Sequence, residues 1–240
     1  MLILFWNIAG TLETRKNSCD PPDISVAILE LKDLKPPFIS LDFVKLPVDV
    51  LLLVVQDDAL LTSYFFLSNA FKSCITDLGV VYFGVTGDRQ NKVKISLVRC
   101  GKGSIQVDAA HNVARTAIKI LKPKAVFSVG CCGGLNRAKA KLGDVVISAK
   151  LSTFGDRKVI NDQRQSDGRT LDVSRKFGFL IKSAADGWKA PLKNPDAQNV
   201  IVHRDAEILT GVEVVNSSQE CKHLRFQFPD AIAIEQEGQG

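Results

Sequence analysis

The apolar residues of this chain fall into short runs whose spacing predicts alternating strands and helices. DVLLLVV, from Asp49 to Val55, is an almost unbroken apolar run of strand length, the pattern of a strand buried on both faces. DDALLTSYFFLSNAF follows with two acids ahead of an amphipathic stretch. Carboxylates there oppose the positive end of a helix dipole, so a helix is predicted. VVYFGVTG and KVKISLVRCGKGS read as two strands, the first ending at a Gly turn. SIQVDAAHNVARTAIKIL is the clearest helix: Ser104 is a candidate N-cap, and Val107, Ala110, Ala114, Ala117, Ile118 and Leu121 form its apolar stripe. KAVFSVG is a short buried strand, and LGDVVISAK is another, entered through a Gly-Asp turn.

Further along, residues 152–170 are polar and irregular and predict a long loop. LDVSRKFGFLIKSAADGW predicts a helix with a Gly interruption, NVIVHRDAEILTG one or two strands, SSQECKHLRFQF a short Ser-capped helix, and DAIAIEQEG a final strand ending in acids. Strands alternating with helices indicate an α/β fold with a mixed or largely parallel sheet. Residues 1–46 differ. The Pro-Pro pairs in NSCDPPD and KPPF break regular elements, so this part reads as an N-terminal extension without a core of its own. Its opening, MLILFWNIAGTL, is too short to span a bilayer and has no basic segment before it, so a buried segment is expected.

Composition narrows the function classes. The chain has 240 residues, enough to bury a sizeable core. Hydrophobic residues make up 45% and charged residues 24%, as in ordinary soluble proteins. The net charge of +5 is spread along the chain and interleaved with acids, so no basic stripe for nucleic acid emerges. Two Trp and two Tyr are too few for a base-stacking platform. The six cysteines show neither a disulfide framework nor zinc spacing, which points to a reduced, cytoplasmic chain with no metal.

Two stretches carry candidate chemistry. VFSVGCCGGL ends a strand with a glycine-rich turn, and ligands in open α/β sheets bind beyond the carboxyl ends of strands. Glycine there lets backbone N–H groups approach a ligand. The run matches neither GxGxxG nor a Walker loop, and Cys131 and Cys132 read as small turn residues. In AIEQEG, Glu235 and Glu237 stand two apart at a strand end and so point to one side of the sheet. A carboxylate accepts two hydrogen bonds at once, which suits the neighbouring hydroxyls of a ribose; a solvated strand end is the plainer alternative.

Taken together, KPKAVFSVGCCGGLNRAKAKLGDVVIS, ILTGVEVVNSS and FPDAIAIEQEG resemble the nucleoside phosphorylase/nucleosidase superfamily, nearest to its methylthioadenosine/S-adenosylhomocysteine nucleosidases. The resemblance runs from about Val48 to Gly238, in family order. It implies a three-layer α/β sandwich around a mixed, partly barrel-like sheet. It implies cleavage of a ribose–purine N-glycosidic bond through a ribosyl oxocarbenium ion, by phosphate or by water. Cys131, Cys132 and Gly133 would line the nucleoside pocket. Val214 and Val215 fall where backbone groups meet the purine edge. Glu237 matches the glutamate that grips the ribose hydroxyls, Glu235 the first acid of that motif, and Gln236 stands where the family usually has Met.

Departures from the family pattern refine the expectation. Ser128 replaces the arginine that holds phosphate in the phosphorylases, and Asp57 and Asp58 would repel phosphate, so hydrolysis is favoured. Arg99 and Lys102 are the candidates to restore positive charge. Asp57 and Asp58 are also the nearest acids for water activation, although a simple alignment puts Ala59 at that position. The family carries a catalytic aspartate on a strand after its E-x-E-G segment; the sequence as given stops at Gly240, so the final strand and helix are expected to be missing. His111 and Asp144 read as structural, and His203 carries no assigned role. The expected ligand is a purine nucleoside, with no cofactor unless phosphate serves as co-substrate, no nucleic acid, no membrane, and self-association into a homo-oligomer. A catalytically inactive nucleoside-sensing or scaffolding module is the alternative. A Rossmann-type nicotinamide enzyme is weaker still, because VVQDDALL supplies no Gly-rich turn after the first strand.

Overall fold

A computed structural model of the chain describes residues 2–9, 22–25, 30–40, 48–101, 110–136, 138–155, 157–160, 163–166, 169–196, 199–211, 215 and 217–235. The chain divides into two compact units, the first built mainly on Ala27–Gly130 and the second on Leu2–Val26 with Cys131–Gln239. The elements in chain order are β1 (Leu2–Ala9), β2 (Val50–Val54), α1 (Asp57–Phe65), β3 (Ser68–Ile75), β4 (Gly79–Thr86), β5 (Val93–Arg99), α2 (Ala110–Leu121), β6 (Ala125–Gly134), β7 (Val145–Thr153), β8 (Arg157–Ile160), β9 (Gln163–Ser166), β10 (Thr170–Asp172), α3 (Arg175–Ser183), β11 (Val202–Thr210), α4 (Ser218–Gln227) and β12 (Ala231–Glu235). Among the described residues, a 3-10 turn occupies Leu31–Asp33. No helix among the described residues is long and apolar enough to cross a membrane.

The first unit orders its strands β3-β4-β5-β2, then the first half of β6. β2 lies parallel to both β5 and β6, as its apolar run predicts. Its two faces are covered by different helices. Leu51 and Leu53 join Val81, Phe83 and Val98 under Ala117 and Leu121 of α2. Leu52 and Val54 join Leu97 under Ala59 and Leu60 of α1. Strand alternation thus produces a helix–sheet–helix sandwich here, as expected. Asp49 ties the start of this sheet together: its carboxylate accepts from Lys94 N at 2.9 Å and pairs with Lys124 Nζ at 2.7 Å.

The second unit orders its strands from the end of β6 through β12 and β11 to β7, with β1 and β10 both antiparallel to β7. β1 also pairs with β6. β11 is parallel to β7 and to β12, while β12 is antiparallel to β6. The sheet is mixed, as expected. Cys132, Val146, Ala206, Ile208 and Ala233 form a core on one face. Leu135, Phe154, Leu209, Leu224 and Ala231 form a second, with Leu224 contributed by α4. Ser217 caps α4 as predicted, its hydroxyl accepting from Gln219 N and Glu220 N.

Three expectations are corrected. The helix predicted over Asp57–Phe71 stops at Phe65, and SNAF enters β3. Pairing with β4 overrides the helical pattern there, and Phe71 stacks on Phe83 with ring centroids 5.2 Å apart. The loop expected over 152–170 contains the β8–β9 hairpin and β10, whose polar residues conceal strands held by backbone pairing. Gly130–Gly134 is the end of β6 and not a turn. The candidate N-cap Ser104 and the stripe residue Val107 lie outside the described residues; α2 itself runs from Ala110 to Leu121.

Glycine is required at Gly143 for two reasons: its φ is +90°, and a Cβ would come 2.3 Å from Pro22 Cγ. At Gly178, inside α3, a Cβ would meet nothing within 4 Å. Gly143→Ala is therefore expected to lower the unfolding free energy by about 1–3 kcal/mol. Gly178→Ala should raise it by roughly 0.5–1 kcal/mol. Urea unfolding midpoints of the two variants check both signs.

Candidate functional site

The candidate site begins with the pairing of two of the sequence motifs. Gly133 lies opposite Ile234, and Gly134 opposite Ala233, in the antiparallel β6–β12 ladder. A Cβ on Gly133 would sit 3.3 Å from Ile234 Cγ2, so glycine spares that side chain a shift of a few tenths of an ångström. The same register sets Cys132 across from Glu235, and the Glu235 charge reaches the thiol. On its other side β12 meets β11, where Thr210 is in register with Glu235 and Thr153 of β7 with Thr210. Directly opposed residues share a face, so Thr153, Thr210, Glu235 and Cys132 form one row across the sheet. This row lies at the carboxyl ends of the parallel strands β7, β11 and β12, where α/β sheets bind ligands.

The row is buried. Thr210 is 0% exposed, Cys132 2% and Glu235 4%. Burial pushes the Cys132 thiol well above its ordinary range, and the neighbouring Cys131 and Glu235 push it the same way. A thiol so held is protonated and inert at neutral pH, in keeping with its reading as a small packing residue. None of Cys74, Cys100, Cys131, Cys132 and Cys221 is in a disulfide. Beyond the row, the backbone N–H of Gly211 donates to Glu235 O at 3.3 Å. A side chain at Gly211 has no room, since a Cβ would come 2.6 Å from the Phe154 ring.

The remaining predicted residues divide. Val215 is half-buried and packs on the Leu135–Phe154–Leu209 core. Val214, Gln236 and Glu237 lie outside the described residues. Asp57 and Asp58 belong to the first unit, as the opening turn of α1, and Ala59 beside them is buried under the sheet. Asp57 Oδ1 pairs with Arg99 Nη2 at 2.5 Å, so the positive charge of Arg99 is offset by an acid. Ser128 sits inside β6 opposite Leu53. His111 is exposed on α2.

Two buried polar clusters were not legible as such. Asp144, expected only to form a turn, is 1% exposed and accepts from Lys141 N, from Ile201 N and from His203 Nε2 at 2.8 Å. It pins the start of β7 to the start of β11 and gives His203 a structural role. On the opposite face to Glu235, the Glu207 carboxylate accepts from Ser152 Oγ at 2.5 Å and from Lys150 Nζ at 3.2 Å. Ser152 Oγ also lies 3.1 Å from Thr170 Oγ1 on β10. Only the parallel register, which sets Glu207 beside Lys150, reveals this cluster. Among the described residues, no group of three or more His, Cys, Asp and Glu side chains is arranged to hold a metal ion.

Comparison with known proteins agrees with the motifs. The family model described as the phosphorylase superfamily matches residues 72–237, and the chain belongs to that superfamily. A 5′-methylthioadenosine/S-adenosylhomocysteine nucleosidase of Maridesulfovibrio salexigens is 25% identical over 150 residues, covering 62% of this chain. The match spans 61% of that relative's length. The structure is similar to the corresponding nucleosidase of Neisseria meningitidis in complex with methylthio-immucillin-A, with a TM-score of 0.59 and 20% identity over 79% of this chain and 76% of that one. It is also similar to futalosine hydrolase of Helicobacter pylori, with a TM-score of 0.57 and 16% identity over 80% and 76% of the two chains. At these identities the structural likenesses establish a shared α/β fold.

Three outcomes test this arrangement. Removing the hydroxyl with Ser152→Ala leaves the buried Glu207 carboxylate one donor short and should cost about 1–3 kcal/mol of stability in urea unfolding. With a thiol reagent at neutral pH, exposed Cys74 should label in the folded chain and Cys132 only on unfolding. The folded Cys132 pKa lies above the ordinary value of 9.0, so the folded state holds that proton more tightly. Its contribution to stability is complete below pH 9 and falls as pH rises beyond it; Cys132→Ala should flatten that alkaline loss.

Proposed function

We propose that this chain binds a purine nucleoside and cleaves its N-glycosidic bond, with water rather than phosphate as the nucleophile. The observation that carries the reading is the β6–β12 pairing. It brings the GCCGG segment and the A-I-E segment together at the carboxyl end of β12, with Glu235 buried beside Cys132. Membership of the phosphorylase superfamily supplies the reaction class, and the curated relative is named for nucleosidase activity. The leaving of a purine builds positive charge on the ribose, and carboxylates at the sugar stabilise that charge without reorganising. Glu237 is the proposed ribose grip, Glu235 its companion, Gln236 the side chain against the sugar, and Val214 and Val215 the backbone contacts to the base.

The preference for water rests on charge. Ser128 stands where the phosphorylases carry an arginine. Arg99, the described candidate to replace it, is already paired with Asp57. Asp57 and Asp58 are the proposed water-activating acids. Residues 47–240 form the proposed nucleoside domain; of the proposed extension, residues 1–46, β1 pairs within the sheet of the second unit. A cytoplasmic homo-oligomer, free of metal and organic cofactor and using phosphate only if phosphorolysis occurs, completes the reading. The Asp57–Arg99 pair also favours a second reading. It engages one of the two acids that would activate water, which suits a sensor that binds a nucleoside without cleaving it.

Incubation with methylthioadenosine, adenosine and inosine, with and without phosphate, decides among these. Free base released without phosphate, and lowered about 10²-fold or more in kcat/KM by Glu237→Gln, is the expected result. Binding without base release selects the sensor. Base release that depends on phosphate overturns the choice of nucleophile, and absence of both binding and release overturns the proposal.

A further inference from the structure

We propose that Thr210 is a substrate-contacting residue whose hydroxyl donates a hydrogen bond to the ribosyl part of the bound nucleoside. The inference rests on the nucleoside reading given above and deepens it. Thr210 closes β11, is 0% exposed, and its Oγ1 has no hydrogen-bond partner among the described residues. A hydroxyl taken out of water and left unmade costs stability, so buried hydroxyls are nearly always paired. Valine would fill the same volume on a β-strand without that cost. A lone buried hydroxyl is therefore an arrangement for which folding alone supplies no reason.

Its surroundings identify the part of the ligand it meets. Thr210 is in register with Glu235, one strand spacing of roughly 5 Å away, at the carboxyl ends of two adjacent parallel strands. Glu235 opens the motif whose second glutamate is the proposed ribose grip. The purine contacts are proposed further along the chain, at Val214 and Val215. The register with Glu235 therefore assigns Thr210 to the sugar. Thr153, the next member of the row, is not an alternative donor, because its Oγ1 accepts from Arg169 N at 2.7 Å and is turned to Arg169 O. The flanking Gly211 keeps its backbone within reach of Glu235 O, which holds the strand end in place.

The test compares Thr210→Val, which keeps the shape and loses the donor, with Thr210→Ser, which keeps the donor. Calorimetric titration with methylthioadenosine and with adenine gives the readout, alongside thermal unfolding of each variant without ligand. Thr210→Val is expected to weaken methylthioadenosine binding about three- to tenfold, to leave adenine binding unchanged, and to unfold no earlier than the parent chain. Thr210→Ser is expected to restore nucleoside binding. Equal binding of methylthioadenosine by Thr210→Val and the parent overturns the inference, as does an equal loss for methylthioadenosine and adenine. A marked drop in thermal stability for Thr210→Val overturns it too, by showing that the hydroxyl serves the fold. If the parent chain binds neither compound, the nucleoside reading itself falls and this inference with it.

Discussion

The candidate site depends on the close approach of β6 and β12 in the second unit. Gly133 eases it, since a Cβ there would come 3.3 Å from Ile234 Cγ2. Once the two strands pair, the register follows from backbone hydrogen bonding, and Cys132 and Glu235 become neighbours. β12 in turn lies parallel to β11, which extends the row to Thr210. A cysteine, a threonine and a glutamate that look unrelated along the chain are thereby set on one buried face. The small volume of glycine and cysteine at this point matters more than any chemistry of the thiol.

Polar groups on the two faces of this sheet are treated differently. On one face Glu207 is enclosed by Ser152 and Lys150, and at the start of β7 Asp144 is enclosed by two backbone amides and His203. Such clusters are satisfied within the protein and hold strands in place. On the other face the Thr210 hydroxyl is buried without that enclosure. The contrast separates polar residues that serve the fold from one whose position suits a ligand. It also explains why buried charge alone is a poor guide to function in this chain: Asp144 and Glu207 are as deeply buried as Glu235 and are accounted for by the structure.

Much of the fold was legible because it rests on local pattern. DVLLLVV, VVYFGVTG and LGDVVISAK are strands near their expected limits, and the Ser217 cap begins α4 where the sequence placed it. Misreadings arose where distant pairing decided the outcome. SNAF has a helical pattern beside α1, but β4 draws it into a hairpin. The polar segment after β7 has no strand-like alternation, and β10 forms on β7 through its backbone. The glycines of GCCGG suggest a turn because glycine permits one; in the fold they are strand residues, and Gly133 lies close against Ile234.

By itself the sequence determined the class of fold, through the alternation of apolar strand runs with amphipathic helices, and the family, through three motifs in a specific order. It also marked Glu235 and the GCCGG segment as candidates, because their residue types suit a ligand at strand ends. Tertiary structure alone decided which side chains share a face. Sequence spacing sets the face within a strand, but the register between strands depends on hydrogen bonds and packing that join residues far apart along the chain. Cys132 meets Glu235, Lys150 meets Glu207, and Asp57 engages Arg99 only once that register exists.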